Sequence, residues 1–157
     1  MAFKIDIQHA MSKSIPISEQ QIVDWAELTL NHQNLNCAEL TIRIVDAQEM
    51  SELNGQYRKK DGPTNVLSFP CELPRDIILL MDYPLLGDII ICPDVLLKEA
   101  LEQGKILESH WAHIIIHGIL HLLGFDHIQP DEEKIMQSIE IEILQQLKIA
   151  NPYEYNE

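Results

Sequence analysis

His110 to His127 read HWAHIIIHGILHLLGFDH, and the rest of the chain is organised around this stretch. Apart from its histidines it is apolar on every side, through Ile114-Ile115-Ile116, Ile119-Leu120 and Leu122-Leu123. A helix with no polar face belongs inside a fold rather than on its surface. The pattern predicts that helix over Glu108 to Leu123, with Gly124 just past its end. His117 and His121 are four residues apart, so they project from the same side of the helix, separated by about 6 Å of rise. Gly124 lets the chain leave the helix and turn, so that a third imidazole, His127, can swing back toward the same point.

The resulting spacing, H-x-x-x-H-x-x-G-x-x-H, is that of a metal site. Burying imidazoles without partners costs about 1–3 kcal/mol for each unsatisfied group, and one shared ion removes that cost. Three neutral nitrogens leave a fourth tetrahedral position for water, as in catalytic zinc sites. One zinc ion per chain is therefore expected, although imidazole sites also accept nickel and copper. A single histidine on an apolar helix is more often a satisfied core residue; the third histidine after a glycine is what sets this stretch apart. His113 with His117 is also an i, i+4 pair, but it lacks the glycine and the third histidine. His113 then either supports a ligand, faces the substrate, or is simply a histidine at the rim. Asp126 either orients an imidazole or a water or is a turn-forming residue before His127. The extended zinc motif of metzincin peptidases shares this spacing but has a glutamate as general base where Gly118 stands here. Glycine cannot take a proton, so a peptidase mechanism does not carry over.

Working outward, the elements alternate at first and then become mostly helical. Phe3 to Gln8 reads as a short strand. Ser18 caps a helix, with Gln21 completing a capping box and Ile22, Trp25, Ala26 and Leu30 forming one apolar face. Ala38, Leu40, Ile42 and Ile44 alternate with polar residues as a strand. Asp46 caps a second helix, with Met50, Leu53 and Tyr57 on its buried side and Lys60-Asp61-Gly62-Pro63 at its end. Val66 to Phe69 is a third strand. Pro70 to Leu85 reads as a long loop, a lid or a poorly formed hairpin. Asp88 to Cys92 is a strand whose continuous Ile89-Ile90-Ile91 run predicts burial on both faces. Pro93 opens a helix that ends near Gly104. A last helix runs from about Asp131 to Ala150, with Ile135, Ile139 and Ile143 repeating every four residues. The expectation is one α+β domain over residues 1–157, with about four strands in a small mixed sheet, about five helices, and a zincin-like metal site on the central helix.

Composition narrows the partners. The net charge of −14 repels polyanions at long range and taken alone argues against nucleic acid. Three of the eleven basic residues, however, are adjacent, at Arg58-Lys59-Lys60, so an acidic fold can still present a basic patch. No run approaches the roughly 18 apolar residues of a membrane span, and the N-terminus shows no secretory pattern. Cys37, Cys71 and Cys92 are odd in number and widely spaced, which suits reduced thiols in the cytoplasm.

Three blocks resemble one known family. HGILHLLGFDH (117–127) looks like the diagnostic motif of the YbeY family of bacterial endoribonucleases. LNGQYRKKDGPTNVLSFP (53–70) and LGDIIIC (86–92) agree with it in order and spacing. The resemblance implies a zinc-bound, single-domain endoribonuclease acting on single-stranded RNA in 16S rRNA 3′-end maturation and ribosome quality control. It also implies an rRNA precursor as substrate and proteins of the small ribosomal subunit as partners; neither a membrane nor DNA is expected as a partner. Carried over by position, His117, His121 and His127 are the zinc ligands and Arg58 is the functional arginine. Phe125 departs from the tyrosine found in many members. Without the resemblance, Arg58-Lys59-Lys60 would read as the basic end of a helix. With it, Arg58 becomes the guanidinium that meets the charge developing on a phosphate, and Lys59 and Lys60 become candidate RNA-binding residues. The proton-transfer groups, and the choice between water and the RNA 2′-OH as nucleophile, stay open. Two rival readings are a non-catalytic, metal-binding ribosome assembly factor and a metzincin-like peptidase.

Overall fold

The computed structural model describes residues 2–125 and 129–154. The first strand, β1 (Ala2–Ala10), and the helix α1 (Glu19–His32) lead into β2 (Cys37–Val45) and α2 (Ala47–Arg58). β3 (Val66–Pro70), a one-turn helix α3 (Arg75–Leu79) and β4 (Leu85–Ile91) follow, and then α4 (Pro93–Gln103), α5 (Leu107–Leu122) and α6 (Pro130–Gln146). The sheet order is β1-β2-β4-β3. β1, β2 and β4 run parallel, and β3 pairs antiparallel with β4. The molecule is a small α+β domain with a four-stranded mixed sheet, as the pattern predicts.

Local chemistry accounts for the starts of the first helices. The Ser18 hydroxyl accepts from the Gln21 N–H while the Gln21 side chain reaches back to the Ser18 backbone, a full capping box. Asp46 accepts from the Glu49 N–H at 2.9 Å. α4 begins on Pro93 and ends at Gly104, which takes the left-handed conformation (φ 65°) that glycine adopts without strain.

α5 is the axis of the fold. It packs against α1, α4 and α6 and lies across β3 and β4. Trp111, Ile115, Ile116, Ile119 and Leu120 are fully buried, each worth roughly 1.5–3 kcal/mol of transfer free energy. Leu40, Ile42 and Ile44 of β2, with Ile89 and Ile91 of β4, meet this helical layer. Ile90 faces the other way, into a smaller cluster with Val45, Met50, Leu67 and Cys92 beneath α2. β4 is thus covered on both faces, which is why its apolar run does not alternate.

Three details differ from the sequence reading. The 70–85 segment contains α3, whose Pro74 cap makes no side-chain hydrogen bond. Five residues with no buried side chain leave little periodic signal. Tyr57 lies 57% exposed rather than on the buried side of α2. α6 stops at Gln146 and buries Met136, Glu140, Ile143 and Leu144, while Ile135 is exposed.

Candidate active site

The site forms where α2, β3 and α5 end together. The chain after α2 turns through Lys59, which takes φ 58°. Buried Asn54 ties that turn down: its side-chain N–H donates to the Gly62 carbonyl at 2.8 Å, and its backbone carbonyl accepts from the Lys60 N–H. This tether holds Arg58 at the mouth of a cleft of about 730 Å³. Tyr57, Arg58, β3, His117, His121 and Phe125 line it. Arg58 is exposed and has no ion-pair partner among the described residues. Lys59 and Lys60 are exposed beside it, and the Lys59 ammonium donates to the Gln56 carbonyl.

Across the cleft, α5 presents His117 and His121, both half-buried. His117 Nδ1–H donates to Glu140 Oε2 at 2.7 Å. An ionised carboxylate only accepts, so this bond fixes the tautomer and leaves Nε2 of His117 as a lone pair. That Nε2 lies 3.1 Å from Nε2 of His121. Two nitrogens bound at about 2.0–2.1 Å to one tetrahedral ion would lie roughly 3.3 Å apart, so the pair suits a shared cation. His113, His117 and Glu140 also offer ligand atoms all within 4.8 Å of one another and could hold a metal ion. Asp126 and His127 lie outside the described residues.

Glu140 is the residue that sequence reasoning missed. It is wholly buried. Besides His117, it accepts from His113 Nε2–H at 2.9 Å and from the Tyr153 hydroxyl. Burial alone would raise its pKa, but the bonds from His113 and His117 outweigh that and hold it at about 2. Burial likewise lowers the pKa of His113, only partly offset by Glu140. The arrangement is a carboxylate held between two imidazoles. His113 is therefore buried and linked to His117 through Glu140, and does not line the cleft. A signal for Glu140 exists in the sequence: it falls in one helical stripe with Met136, Ile143 and Leu144, an acid in an apolar row. The Ile135-Ile139-Ile143 repeat conceals it.

Gly118 has a positive reason to be glycine. A Cβ there would lie 3.2 Å from Ile89 Cγ2 and 3.3 Å from Val66 Cγ2. The position faces the sheet, and its carbonyl accepts from the Ser68 hydroxyl at 3.0 Å. A glutamate at this point would meet packed aliphatic groups instead of a substrate.

The family model described as "Endoribonuclease YbeY" matches residues 6–148. The chain belongs to the endoribonuclease YbeY family. Two relatives named "Endoribonuclease YbeY", from Legionella pneumophila strains Corby and Paris, are each 52% identical over the whole chain and 98% of their own length. A solution structure of a Thermotoga maritima protein superposes with a TM-score of 0.58 at 23% identity, covering 96% of this chain and 99% of that one. At that identity the likeness speaks for the fold alone. Among the described residues no helix is long and apolar enough to cross a membrane.

Proposed function

We propose that this YbeY-family chain is a zinc-dependent, single-strand-specific endoribonuclease of the cytoplasm, acting in 16S rRNA 3′-end maturation and ribosome quality control. In this reading residues 1–157 form one metal-dependent hydrolase domain. An rRNA precursor is its substrate and small-subunit proteins are its partners. The observation that carries the proposal is the meeting of Arg58 with His117 and His121 in one cleft. His117, His121 and His127 would hold the ion. The His117–His121 side is favoured over the His113–Glu140 side because Glu140 already accepts from three donors, which a cation there would displace.

When bound, zinc supplies a Lewis acid and lowers the pKa of bound water toward about 7. The chain's own residues do the rest. Glu140 holds His117 in the tautomer and orientation that exposes Nε2 to the cleft. Arg58 binds the phosphate and spreads the charge that develops on its oxygens, a task its planar fork suits better than a lysine. Lys59 and Lys60 draw the polyanion to an otherwise acidic surface.

The test pairs metal analysis with cleavage of single-stranded RNA by wild type, His121→Ala and Arg58→Glu. His121→Ala is expected to lose both metal and cleavage. Arg58→Glu is expected to keep its metal and lose cleavage by at least about 100-fold, the scale on which charge-stabilising groups act. Full cleavage by Arg58→Glu would sink the proposal. A 2′,3′-cyclic phosphate on the product would identify the RNA 2′-OH as nucleophile and exclude direct attack by water.

A further inference from the structure

Among the described residues β3 is the last strand of the sheet, and only β4 pairs with it. Two bonds fix the phase of that pairing: Cys71 N–H to the Leu86 carbonyl at 2.8 Å, and Cys92 N–H to the Asn65 carbonyl at 3.1 Å. With the observed register, Asn65, Leu67, Phe69 and Cys71 turn their peptide groups toward β4. Val66, Ser68 and Pro70 turn theirs the other way. Among the described residues nothing meets the N–H groups of Val66 and Ser68, or the carbonyls of all three. These groups border the same cleft as Arg58 and His117.

Beside them stands an aromatic ring. Tyr57 is 57% exposed, yet it is held in place: its ring meets Phe69 edge-on, with centroids 4.9 Å apart at 63°. A ring already positioned at a cleft wall presents a face to a flat partner at little entropic cost.

We infer that this part of the cleft is a subsite for one unpaired nucleobase next to the scissile phosphate. The base face rests on Tyr57, and its hydrogen-bonding edge meets the open peptide groups of Val66 and Ser68. The inference rests on the ribonuclease reading above. A residue in the outward phase presents N–H and C=O side by side, a donor and an acceptor. All four RNA bases carry an adjacent donor and acceptor on their Watson–Crick edge, so the ledge selects for the unpaired state rather than for base identity. In a duplex that edge is taken by the partner base, and both faces are stacked. Discrimination against double strands then follows from the geometry of one strand edge and one ring.

The test uses single-stranded oligoribonucleotides, intact or with one abasic nucleotide at each position flanking the cut. Wild type, Tyr57→Leu and Tyr57→Trp are compared, with cleavage and RNA affinity both measured. At one flanking position the abasic substitution is expected to weaken wild-type binding by roughly 5- to 100-fold, the worth of one stacked base. Tyr57→Leu should lose the same factor on intact RNA and lose nothing further on abasic RNA. Tyr57→Trp should restore the distinction. A base methylated on its Watson–Crick edge at that position should be bound as poorly as the abasic site. Equal treatment of abasic and intact RNA by wild type overturns the subsite while leaving the ribonuclease reading in place. The same holds if Tyr57→Leu loses affinity equally for both. A wild-type chain that binds RNA with the abasic penalty but does not cut it supports the subsite and overturns the nuclease reading. A chain that neither binds nor cuts overturns both.

Discussion

Glu140 holds its charge with no part of the residue exposed, and it does so because three donors surround its two oxygens. Glu140→Gln keeps the shape but turns an amide N–H₂ toward groups that themselves donate. One unmatched donor in a buried site costs about 1–3 kcal/mol, so the thermal midpoint should fall. The orienting bond to His117 should also weaken, and metal affinity is expected to drop roughly 10- to 100-fold, measured by competition with a chelator. Unchanged metal affinity would mean that Glu140 stabilises the fold without tuning His117. At this scale the sequence is legible where a residue's spacing matches its chemistry. His117 and His121 are marked by their interval taken together with Gly124 and His127. Tyr57 is not, because a helical repeat gives a stripe without saying how far the stripe extends into the core. Tyr57 falls one turn beyond Leu53, where its ring meets Phe69 of β3 edge-on but stays largely exposed.

Among the elements, α5 packs so closely on the sheet at residue 118 that an added Cβ would need Ile89 and Val66 to give way. Gly118→Ala would gain about 1 kcal/mol of helix propensity, but the added methyl would push against Ile89 and Val66. Overpacking typically costs about 1–3 kcal/mol. The expected net result is a modest loss of stability, seen as a thermal midpoint lowered by a few degrees. A raised midpoint would show that the sheet yields and that propensity dominates. The strong elements were readable for reasons of the same kind. Ser18 with Gln21 and Asp46 with Glu49 mark helix starts by the hydrogen bonds they make, and Leu40, Ile42 and Ile44 mark a strand by alternation. α3 escaped because it has neither a capping side chain nor a buried face. The buried side of α6 is not readable from the sequence because two stripes, one isoleucine and one mixed, compete on the same helix, and packing against α5 and α1 decides between them.

For the molecule as a whole, acidity acts in two opposed ways. As pH falls toward the isoelectric value of about 4.7, the self-repulsion of fourteen net negative charges relaxes, which favours the folded state. Below that, carboxylates paired in the fold begin to cost. Glu99 accepts from His110 and Asn65. Burial raises its pKa, but these bonds outweigh that and leave it below the ordinary 4.5. A carboxylate with a lowered folded pKa stabilises fully above its unfolded value and loses that contribution as pH falls through the folded one. Thermal midpoints measured from roughly pH 5 to pH 3 should therefore fall less steeply for Glu99→Gln than for wild type. Parallel curves would remove Glu99 from the acid response.

The open edge of β3 also bears on how copies of this chain treat one another. An unpaired strand edge is a template for any other strand, including the same strand of a neighbour. A cleft that must stay open to RNA cannot hide its edge beneath a loop. Here the strand is only five residues long, and Pro70, in the outward phase, offers no N–H to a partner. The strong negative charge keeps molecules apart, but salt screens it within about 8 Å under physiological conditions. Shortness, one proline and surplus acid together oppose sheet-to-sheet aggregation, so the acidity that is unhelpful for attracting RNA works against edge-to-edge association of the chain with itself.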